Sequence, residues 1–293
     1  MMPAELIIEA PAKINLLLDV KGRRPDGYHE LETVMHQIDL TDSLCLRRVS
    51  GRSVTLDCDA ADLPVDDRNI ATRAARLMYD RFSLTGGLEM ALTKRIPVGA
   101  GLAGGSSDAA AVLKGINELY RLGLSTPELC RLGEELGSDV PFCVLGKTAL
   151  ARGRGEQLTP LGNMPEMVFL LVKPPFSLST AEIFGAYDAA RVGARPKLQA
   201  FLRRLEEGCG SLEIADALCN VLEVVSIEIK PEIKSLKHLC IEQGALGALM
   251  SGSGPTVFAI FDGMTSAQAA YERLRPTGLD LWLARSCRPE KDG

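Results

Sequence analysis

The sequence lacks the long apolar run that a membrane-spanning helix needs. Within its 293 residues, no stretch reaches the roughly 18 to 20 consecutive apolar residues that cross a bilayer. The N-terminal run MMPAELIIEAPAK contains Glu5 and has no signal-peptide pattern. We therefore expect a soluble, cytoplasmic protein.

Paired cysteines are also missing. The eight cysteines are scattered, with no C-x-x-C pair and no histidine at ligand spacing beside them, so the sequence indicates no zinc site. Because a free cysteine behaves as a small hydrophobic residue, we expect reduced and mostly buried thiols.

Basic residues are not in excess. The 33 Lys and Arg stand against 38 Asp and Glu, which gives a formal net charge of -5. Binding a polyanion normally needs a concentrated basic surface, so a nucleic-acid partner is disfavoured. Local basic clusters could still bind a small phosphorylated ligand.

The composition is that of a globular protein, with 46% hydrophobic and 24% charged residues. The length favours two domains over one. A change of pattern near residue 165 separates them, which predicts one domain over 1–165 and a second, mixed α+β domain over 166–293.

The first half begins with short apolar runs between turn residues, which predict strands. These runs are LIIEA, INLLLDV, ELETVMHQIDL, SLCLRRV and SVTLDCD. Helical spacing follows over 69–82, and GLEMALTKRI reads as another strand. A capping box with proline at Ser125-Thr126-Pro127-Glu128 predicts a helix that ends at Gly137.

The second half begins with the apolar strand MVFLLVKPP, followed by a helix opened by the capping box Ser179-Thr180-Ala181-Glu182. Further helices continue to about Gln243. ALGALMSGSGPTVFAIF predicts two strands around a Gly/Ser turn, and a helix over 266–274 and the strand DLWLARSC complete this half.

Residues 97–110 read PVGAGLAGGSSDAA and lead into a helix, with Ser106 or Ser107 available as N-cap. Glycines before a helix N-terminus let backbone N–H groups approach an anion. The segment has no lysine after its glycines and no acidic residue at the spacing that binds a ribose. It is therefore neither a Walker phosphate-binding loop nor a Rossmann fingerprint. A small-residue turn before a well-capped helix is the alternative on this pattern alone.

The order of strand, Pro97, glycines, paired serines and helix resembles the phosphate loop of the GHMP kinase superfamily. Two further segments match in order, P-A-K-I-N-L at 11–16 and S-G-S-G-P-T at 251–256. The resemblance implies an α+β, two-domain GHMP kinase fold. Its parts are an N-terminal ribosomal-protein-S5-like domain 2 and a C-terminal ferredoxin-like α/β sandwich, with the active site in the inter-domain cleft.

R-P-D-G-Y-H-E-L at 24–31, G-S-D-V-P at 137–141 and S-T-A-E-I-F at 179–184 narrow the resemblance to the 4-diphosphocytidyl-2-C-methyl-D-erythritol kinase family. It implies ATP-dependent phosphorylation of the 2-hydroxyl of a cytidine diphosphate sugar-alcohol conjugate in the non-mevalonate isoprenoid pathway. Asp139 would be the base, Lys13 would pair with it and polarise the reacting groups, and Asn15 would bind the same substrate. Because Asn15 lies two residues after Lys13, both should point to one face of a strand.

The resemblance also implies the binding residues. Tyr28 and Phe184 would stack on the cytosine, His29 would read its edge, and the turn at Gly252 and Ser253 would close on the site. Lys94 and Asn69 match positions near the nucleoside of ATP. The phosphates would be held by Pro97, Val98, Gly99, Ala100, Gly101, Leu102, Ala103, Gly104, Gly105, Ser106 and Ser107.

ATP and Mg²⁺ are the implied cofactors, with the metal ligands unassigned. Some relatives have glycine where this chain has Ala100 and Ala103, and alanine should be tolerated there if φ is negative. Asp108 suits the first helical turn through the helix dipole but could instead contact the metal.

Other functions remain open at this point. Another small-molecule kinase or decarboxylase of the superfamily, of the homoserine or mevalonate type, would lack the cytosine pocket. A non-catalytic nucleotide-binding protein would bind ATP without turnover. The oligomeric state leaves no readable pattern in the sequence.

Overall fold

The computed structural model describes residues 4–287, and the chain divides into two compact units. Unit 1 comprises Met1–Ala12, Thr41–Val98 and Ala103–Gly146. Unit 2 comprises Lys13–Leu40, Gly99–Leu102 and Lys147–Gly293. Each unit is therefore built from segments that are separated along the chain.

The described residues form strands and helices in the following order. The strands are β1 (Glu5–Arg23), β2 (His29–Val49), β3 (Val54–Cys58), β4 (Gly87–Thr93), β5 (Thr148–Gly153), β6 (Gln157–Pro160), β7 (Val168–Lys173), β8 (Cys219–Asn220), β9 (Gly247–Met250), β10 (Val257–Phe261) and β11 (Asp280–Arg285). The α-helices are α1 (Ile70–Arg81), α2 (Gly104–Leu119), α3 (Thr126–Glu134), α4 (Val140–Leu145), α5 (Thr180–Gly185), α6 (Leu198–Glu207), α7 (Ser211–Ala217), α8 (Glu223–Ile229), α9 (Glu232–Glu242) and α10 (Met264–Leu274).

Unit 1 packs helices against a small sheet. The C-terminal half of β2 pairs antiparallel with β4, and β4 pairs parallel with β3. Helix α2 packs against α1, α3 and α4, and its residues 107–113 are buried. A Cβ at Gly115 would lie 2.3 Å from Leu46 Cδ1, so only glycine lets α2 approach β2 this closely.

Unit 2 contains an antiparallel sheet in the order β11-β7-β10-β9. Its core includes the buried rings of Phe169, Phe258 and Phe261, and helices α9 and α10 pack on it. In the same unit the N-terminal half of β2 pairs antiparallel with β5, β5 pairs with β6, and β1 pairs parallel with the short β8.

Three of the helix starts expected from the sequence are confirmed by their capping contacts. Asn69 caps α1, and its Oδ1 accepts a hydrogen bond from the N–H of Ala71 at 2.9 Å. Ser125 and Glu128 form the expected capping box of α3, although this helix ends at Glu134 rather than Gly137. Ser179 Oγ accepts from the N–H of Glu182 at the start of α5.

In the first 60 residues, the sequence predicted separate strands where the structure has longer continuous ones. LIIEA and INLLLDV belong to one strand, β1, and the next two runs belong to β2. The polar T-D-S segment between those two runs stays extended because Asp42 is fully buried and accepts hydrogen bonds from the N–H groups of Arg95 and Ile96.

Cys143 and Cys240 are buried, whereas the other six cysteines are half-buried, so the expectation of mostly buried thiols is wrong. None of the described helices has the length and apolarity to cross a lipid bilayer. The boundary near residue 165 stays a prediction.

Candidate active site

Lys13 and Asn15 form a buried polar pair in unit 2. Lys13 Nζ donates to Asn15 Oδ1 at 2.8 Å, and Asn15 Nδ2 donates to Thr33 Oγ1 at 2.9 Å. Thr33 Oγ1 in turn donates to the carbonyl of Leu17 at 2.6 Å. The lysine and asparagine are 5% and 2% exposed, so this chain of bonds fixes their orientation. The expectation that both point to one strand face is confirmed.

Residues 99–102 of the glycine loop pass beside this pair. The N–H of Lys13 donates to the carbonyl of Leu102 at 3.1 Å, and Ser251 Oγ donates to the carbonyl of Gly101 at 2.9 Å. The φ angle of Gly101 is +76°, and a Cβ there would lie 2.4 Å from the carbonyl oxygen of Ser251. The loop therefore requires glycine at this position.

The turn between β9 and β10 completes the arrangement. Gly252 has φ of +57°, and a Cβ on it would lie 3.4 Å from Asn15 Oδ1 and 3.8 Å from Lys13 Nζ. Asn220 Nδ2 holds this turn by donating to the carbonyls of Met250 at 2.9 Å and Gly252 at 2.7 Å. Lys13, Asn15, the loop and this turn thus meet within unit 2.

Ser253 is linked to the helix that carries Phe184. Its Oγ lies 2.9 Å from Thr180 Oγ1, at the first turn of α5. The turn and this helix are therefore held together by a hydrogen bond between two hydroxyl groups.

An aromatic group lies elsewhere in unit 2. The ring centroids of His29 and Phe184 are 5.2 Å apart with an interplanar angle of 33°, and Tyr187 approaches His29 edge-on at 6.3 Å. Burial, followed by the charge of Arg23, lowers the pKa of His29 below its ordinary value, which favours the neutral ring at pH 7.

Tyr28 is 55% exposed and has the guanidinium of Arg154 over its ring at 5.2 Å. Its N–H donates to Asp26 Oδ1 at 3.1 Å, which fixes the backbone of the turn before β2. Tyr28 thus offers an accessible aromatic face already paired with a cation.

In unit 1, helix α2 begins one turn earlier than expected. Its N-cap is Ala103, with φ of +56°, and not Ser106 or Ser107. Alanine is therefore present in a left-handed conformation, so the condition of a negative φ, under which alanine was expected to be tolerated, is not met at Ala103. The N–H groups of residues 104–106 precede the first helical hydrogen bond, which runs from Ser107 N–H to the Ala103 carbonyl at 2.9 Å.

Ser107 is almost fully buried, and its hydroxyl donates to the carbonyl of Pro11 at 2.6 Å. Ser106 is half-buried, and Gly105 is exposed. Of the two serines, Ser106 is the more accessible for a ligand.

Lys94 lies in a buried charge cluster with Asp42 and Asp108. Its Nζ donates to Asp42 Oδ2 and, at 2.8 Å, to Asp108 Oδ2. Burial lowers the pKa of Lys94, but the charges of Asp108 and Asp42 outweigh it and raise the pKa overall. Burial raises the pKa of Asp108 to about 7 against the opposing charge of Lys94, and its Oδ1 has no hydrogen-bond partner among the described residues.

Asn69 and Asp139 both lie at helix starts. The amide of Asn69 caps α1 through Oδ1 and donates through Nδ2 to the carbonyl of Pro64 at 2.8 Å. Asp139 is the N-cap residue of α4, but its carboxylate does not cap the helix. Pro141 in the first turn of α4 fixes its own φ and restricts the residue before it, which follows Asp139 directly.

Family models match both halves of the chain. Residues 69–147 match the GHMP kinases N terminal domain, and residues 196–278 match the GHMP kinases C terminal domain. The chain belongs to the GHMP kinases. The α+β GHMP fold expected from the motifs is confirmed, and GHMP kinases use ATP.

Among curated GHMP kinases, similar relatives share one name. The 4-diphosphocytidyl-2-C-methyl-D-erythritol kinase of Brevibacillus brevis is 46% identical over 278 residues, which cover 95% of either chain. The enzyme of the same name from Alkaliphilus oremlandii is 45% identical over 271 residues, 92% of either chain.

Solved structures of GHMP kinases are similar in fold to this chain over nearly its whole length. A crystal structure of 4-(cytidine 5'-diphospho)-2C-methyl-D-erythritol kinase has a TM-score of 0.82 at 35% identity, covering 97% of this chain and 100% of that one. Homoserine kinase from Cytophaga hutchinsonii has a TM-score of 0.75 at 19% identity, covering 98% and 96%, and is similar in fold alone.

Several residues of this arrangement were missed by the sequence reasoning. Thr33, Asn220 and Asp42 are single polar residues far along the chain from the groups they contact. The available signal was a polar residue within an apolar run, since a buried polar group needs a partner.

Proposed function

We infer that the chain is an ATP-dependent kinase that phosphorylates the 2-hydroxyl of 4-diphosphocytidyl-2-C-methyl-D-erythritol, a step in non-mevalonate isoprenoid precursor synthesis. The observation that carries this function is the meeting of Lys13, Asn15, the glycine loop and the Gly252 turn in unit 2. The near full-length relatives of that name support this choice of substrate.

The glycine loop and the start of α2 fit the phosphates of ATP. The N–H groups of residues 104–106 are not used by the helix, and α2 has 16 residues whose dipoles favour an anion at this end. Gly99 and Gly105 are exposed, which lets phosphate oxygens approach the backbone. We propose that this backbone and the Ser106 hydroxyl bind the phosphates.

The Mg²⁺ ion that we propose to accompany ATP would neutralise phosphate charge. Among residues 4–287, no three or more His, Cys, Asp and Glu side chains are grouped for a metal ion. This fits a cation held mainly through phosphate oxygens and water, as Mg²⁺ prefers in nucleotide sites.

Lys13 supplies the protein's own positive charge. Its ammonium is buried and held by Asn15, so little reorganisation is needed when negative charge develops on the transferred phosphoryl. We propose that Asn15 keeps the ammonium in place and that Thr33 orients the Asn15 amide.

Asp139 is proposed as the general base. The acceptor hydroxyl oxygen attacks the γ-phosphorus, the bond from that phosphorus to the ADP oxygen breaks, and the hydroxyl proton passes to the Asp139 carboxylate. Positioning and charge neutralisation supply most of the rate in such a transfer.

The aromatic group is proposed to bind the cytosine. Phe184 and Tyr28 offer flat faces, and His29 offers a neutral ring nitrogen or its backbone to the edge of the base. A base with the wrong edge would leave a buried donor or acceptor unpaired, at a cost of about 1 to 3 kcal/mol.

A coupled assay of ADP release tests this function. The wild-type chain, ATP and Mg²⁺ are combined in turn with 4-diphosphocytidyl-2-C-methyl-D-erythritol, homoserine and mevalonate. We expect ADP release with the cytidine conjugate and inhibition by added cytidine diphosphate. Release with homoserine or mevalonate alone would overturn the substrate and keep the family, whereas ATP binding without release would point to a non-catalytic protein.

A further inference from the structure

The buried charge cluster of Asp42, Lys94 and Asp108 has no part in the chemistry described above. Lys94 lies three residues before Pro97, and Asp108 lies three residues after Gly105. Their ion pair at 2.8 Å therefore joins the two ends of the glycine loop at its base. The side chains are 7% and 4% exposed, so water screens the pair little.

Asp42 fixes the entry to the loop independently. Its side chain is fully buried on β2, and its Oδ1 accepts hydrogen bonds from the N–H groups of Arg95 at 2.6 Å and Ile96 at 2.8 Å. The other oxygen accepts from Lys94 Nζ. One carboxylate thus binds three consecutive residues that lead into the loop.

The start of α2 passes close to the same ammonium. A Cβ at Gly104 would lie 3.3 Å from Lys94 Nζ and 3.0 Å from Ile96 Cγ2. The strand that carries Asp42, the segment that enters the loop and the helix that leaves it are therefore all in contact within unit 1.

We propose that Asp42 and Asp108 are positioning residues for ATP. Asp42 holds the entry to the glycine loop directly and Asp108 acts through Lys94, so that both ends of the loop are in place before the nucleotide binds. A buried ion pair costs desolvation, and conformational specificity is a recognised reason to keep one. A loop that is ordered in advance loses less entropy on binding and so binds more tightly. The proposal rests on the proposed function because it concerns the same loop.

A direct contact of Lys94 with ATP would give different results. In that case loss of the Lys94 ammonium would weaken ATP binding, while loss of the Asp108 carboxylate would leave it nearly intact. If the pair acts as a unit, loss of either partner has a similar effect, and loss of both is no worse than loss of one.

The test compares Asp108→Ala, Lys94→Met and the double variant with the wild type. Dissociation constants for ATP come from displacement of a fluorescent ATP analogue, and KM is measured for both substrates. We expect each single variant to weaken ATP binding about tenfold and the double variant to match them. KM for the cytidine substrate should change less than about twofold, since the cluster lies at the ATP loop.

Two further variants control for stability. Glu135→Gln breaks an exposed ion pair with Arg81 in the same unit and should leave ATP binding unchanged. Asp108→Asn keeps an oxygen that can accept from Lys94, and its ATP affinity should lie within about threefold of wild type. If the alanine variant does not fold, amide hydrogen exchange of residues 98–106 in Lys94→Met without nucleotide decides between the two roles of Lys94. A positioning role predicts faster exchange there than in the wild type, whereas a contact with ATP alone predicts wild-type exchange.

Amide hydrogen exchange of residues 98–106 without nucleotide provides a readout independent of activity. We expect exchange in Asp108→Ala to be about tenfold faster there than in the wild type. Wild-type ATP affinity and wild-type exchange in this variant would overturn the proposal, as would a loss of affinity confined to Lys94→Met. Failure of the wild type itself to bind ATP would instead contradict the proposed function.

Discussion

His36 is a buried histidine with both ring nitrogens in hydrogen bonds. Nδ1 lies 2.7 Å from Thr148 Oγ1, and Nε2 lies 2.8 Å from Ser286 Oγ. Ser286 Oγ also accepts from the N–H of Met167 at 3.0 Å, so the ring connects three segments of unit 2. Burial lowers the pKa of His36 from 6.5 to about 4, which means that the folded protein holds this ring neutral.

The histidine predicts a pH dependence of stability. Between pH 6.5 and about 4, His36 binds a proton in the unfolded chain but stays neutral in the folded protein. The free energy of unfolding therefore falls as the pH falls. Lowering the pH from 7 to 5 should reduce the free energy of unfolding by about 2 kcal/mol through this histidine. We expect His36→Gln to lose this part of the dependence in urea unfolding at the two pH values.

The exposed His238 of α9 provides a matched control. His238→Gln makes the same change where the ring is in water in the folded and unfolded chain, and it should keep the wild-type dependence. Equal pH dependence in His36→Gln and wild type would show that His36 does not contribute.

At the residue scale, sequence patterns predicted the side-chain arrangements that depend on neighbouring residues in the chain. The two-residue spacing of Lys13 and Asn15 put both side chains on one face of β1, as observed. Thr33 could not be found in this way, because its contact with Asn15 depends on strand packing rather than on spacing. The positive φ of Ala103 was equally hidden, since alanine rarely adopts it.

At the element scale, the glycine loop depends on one close approach. A Cβ at Gly101 would lie 2.4 Å from the carbonyl oxygen of Ser251 and 2.9 Å from that of Gly254. Both partners are backbone atoms of the β9–β10 turn, so neither can rotate away. The loop and the turn hold each other in place through this contact.

We expect Gly101→Ala to destabilise the protein more than a matched variant. Gly123 also has positive φ, +70°, but nothing lies within 4 Å of a Cβ built on it. Gly123→Ala should therefore cost only about 1 to 2 kcal/mol of backbone strain. Gly101→Ala should cost about 1 to 3 kcal/mol more because of the collision, measured by urea unfolding. Equal losses in the two variants would mean that the contact does not constrain the loop.

The elements that the sequence predicted have strong local signals. Helices α1, α3 and α5 begin at capping residues, and β9 and β10 flank a Gly/Ser turn. Strand β5 was missed because it depends on pairing with β2, more than 100 residues earlier in the chain. The two-residue β8 is defined only by its pairing with β1 and carries no pattern of its own.

At the scale of the whole molecule, the units cannot be read from chain order. Strands β1 and β2 each contribute residues to both units, and residues 99–102 of the glycine loop belong to unit 2 while its flanks belong to unit 1. A change of sequence pattern, such as the one near residue 165, marks a change in the order of predicted strands and helices along the chain. It does not reveal which distant segments pack together, because that depends on contacts between residues far apart in sequence.

The proposed activity of the whole molecule is phosphoryl transfer to the cytidine conjugate with Asp139 as base. The most direct measurement follows the phosphorylated product of 4-diphosphocytidyl-2-C-methyl-D-erythritol by phosphorus NMR with the wild type and Asp139→Asn, alongside ATP binding by both. We predict a 2-phosphate product with the wild type, a loss of at least about a hundredfold in its rate with the variant, and ATP binding retained in both. Product formed by the variant at the wild-type rate, or phosphate found at another position, would contradict the account.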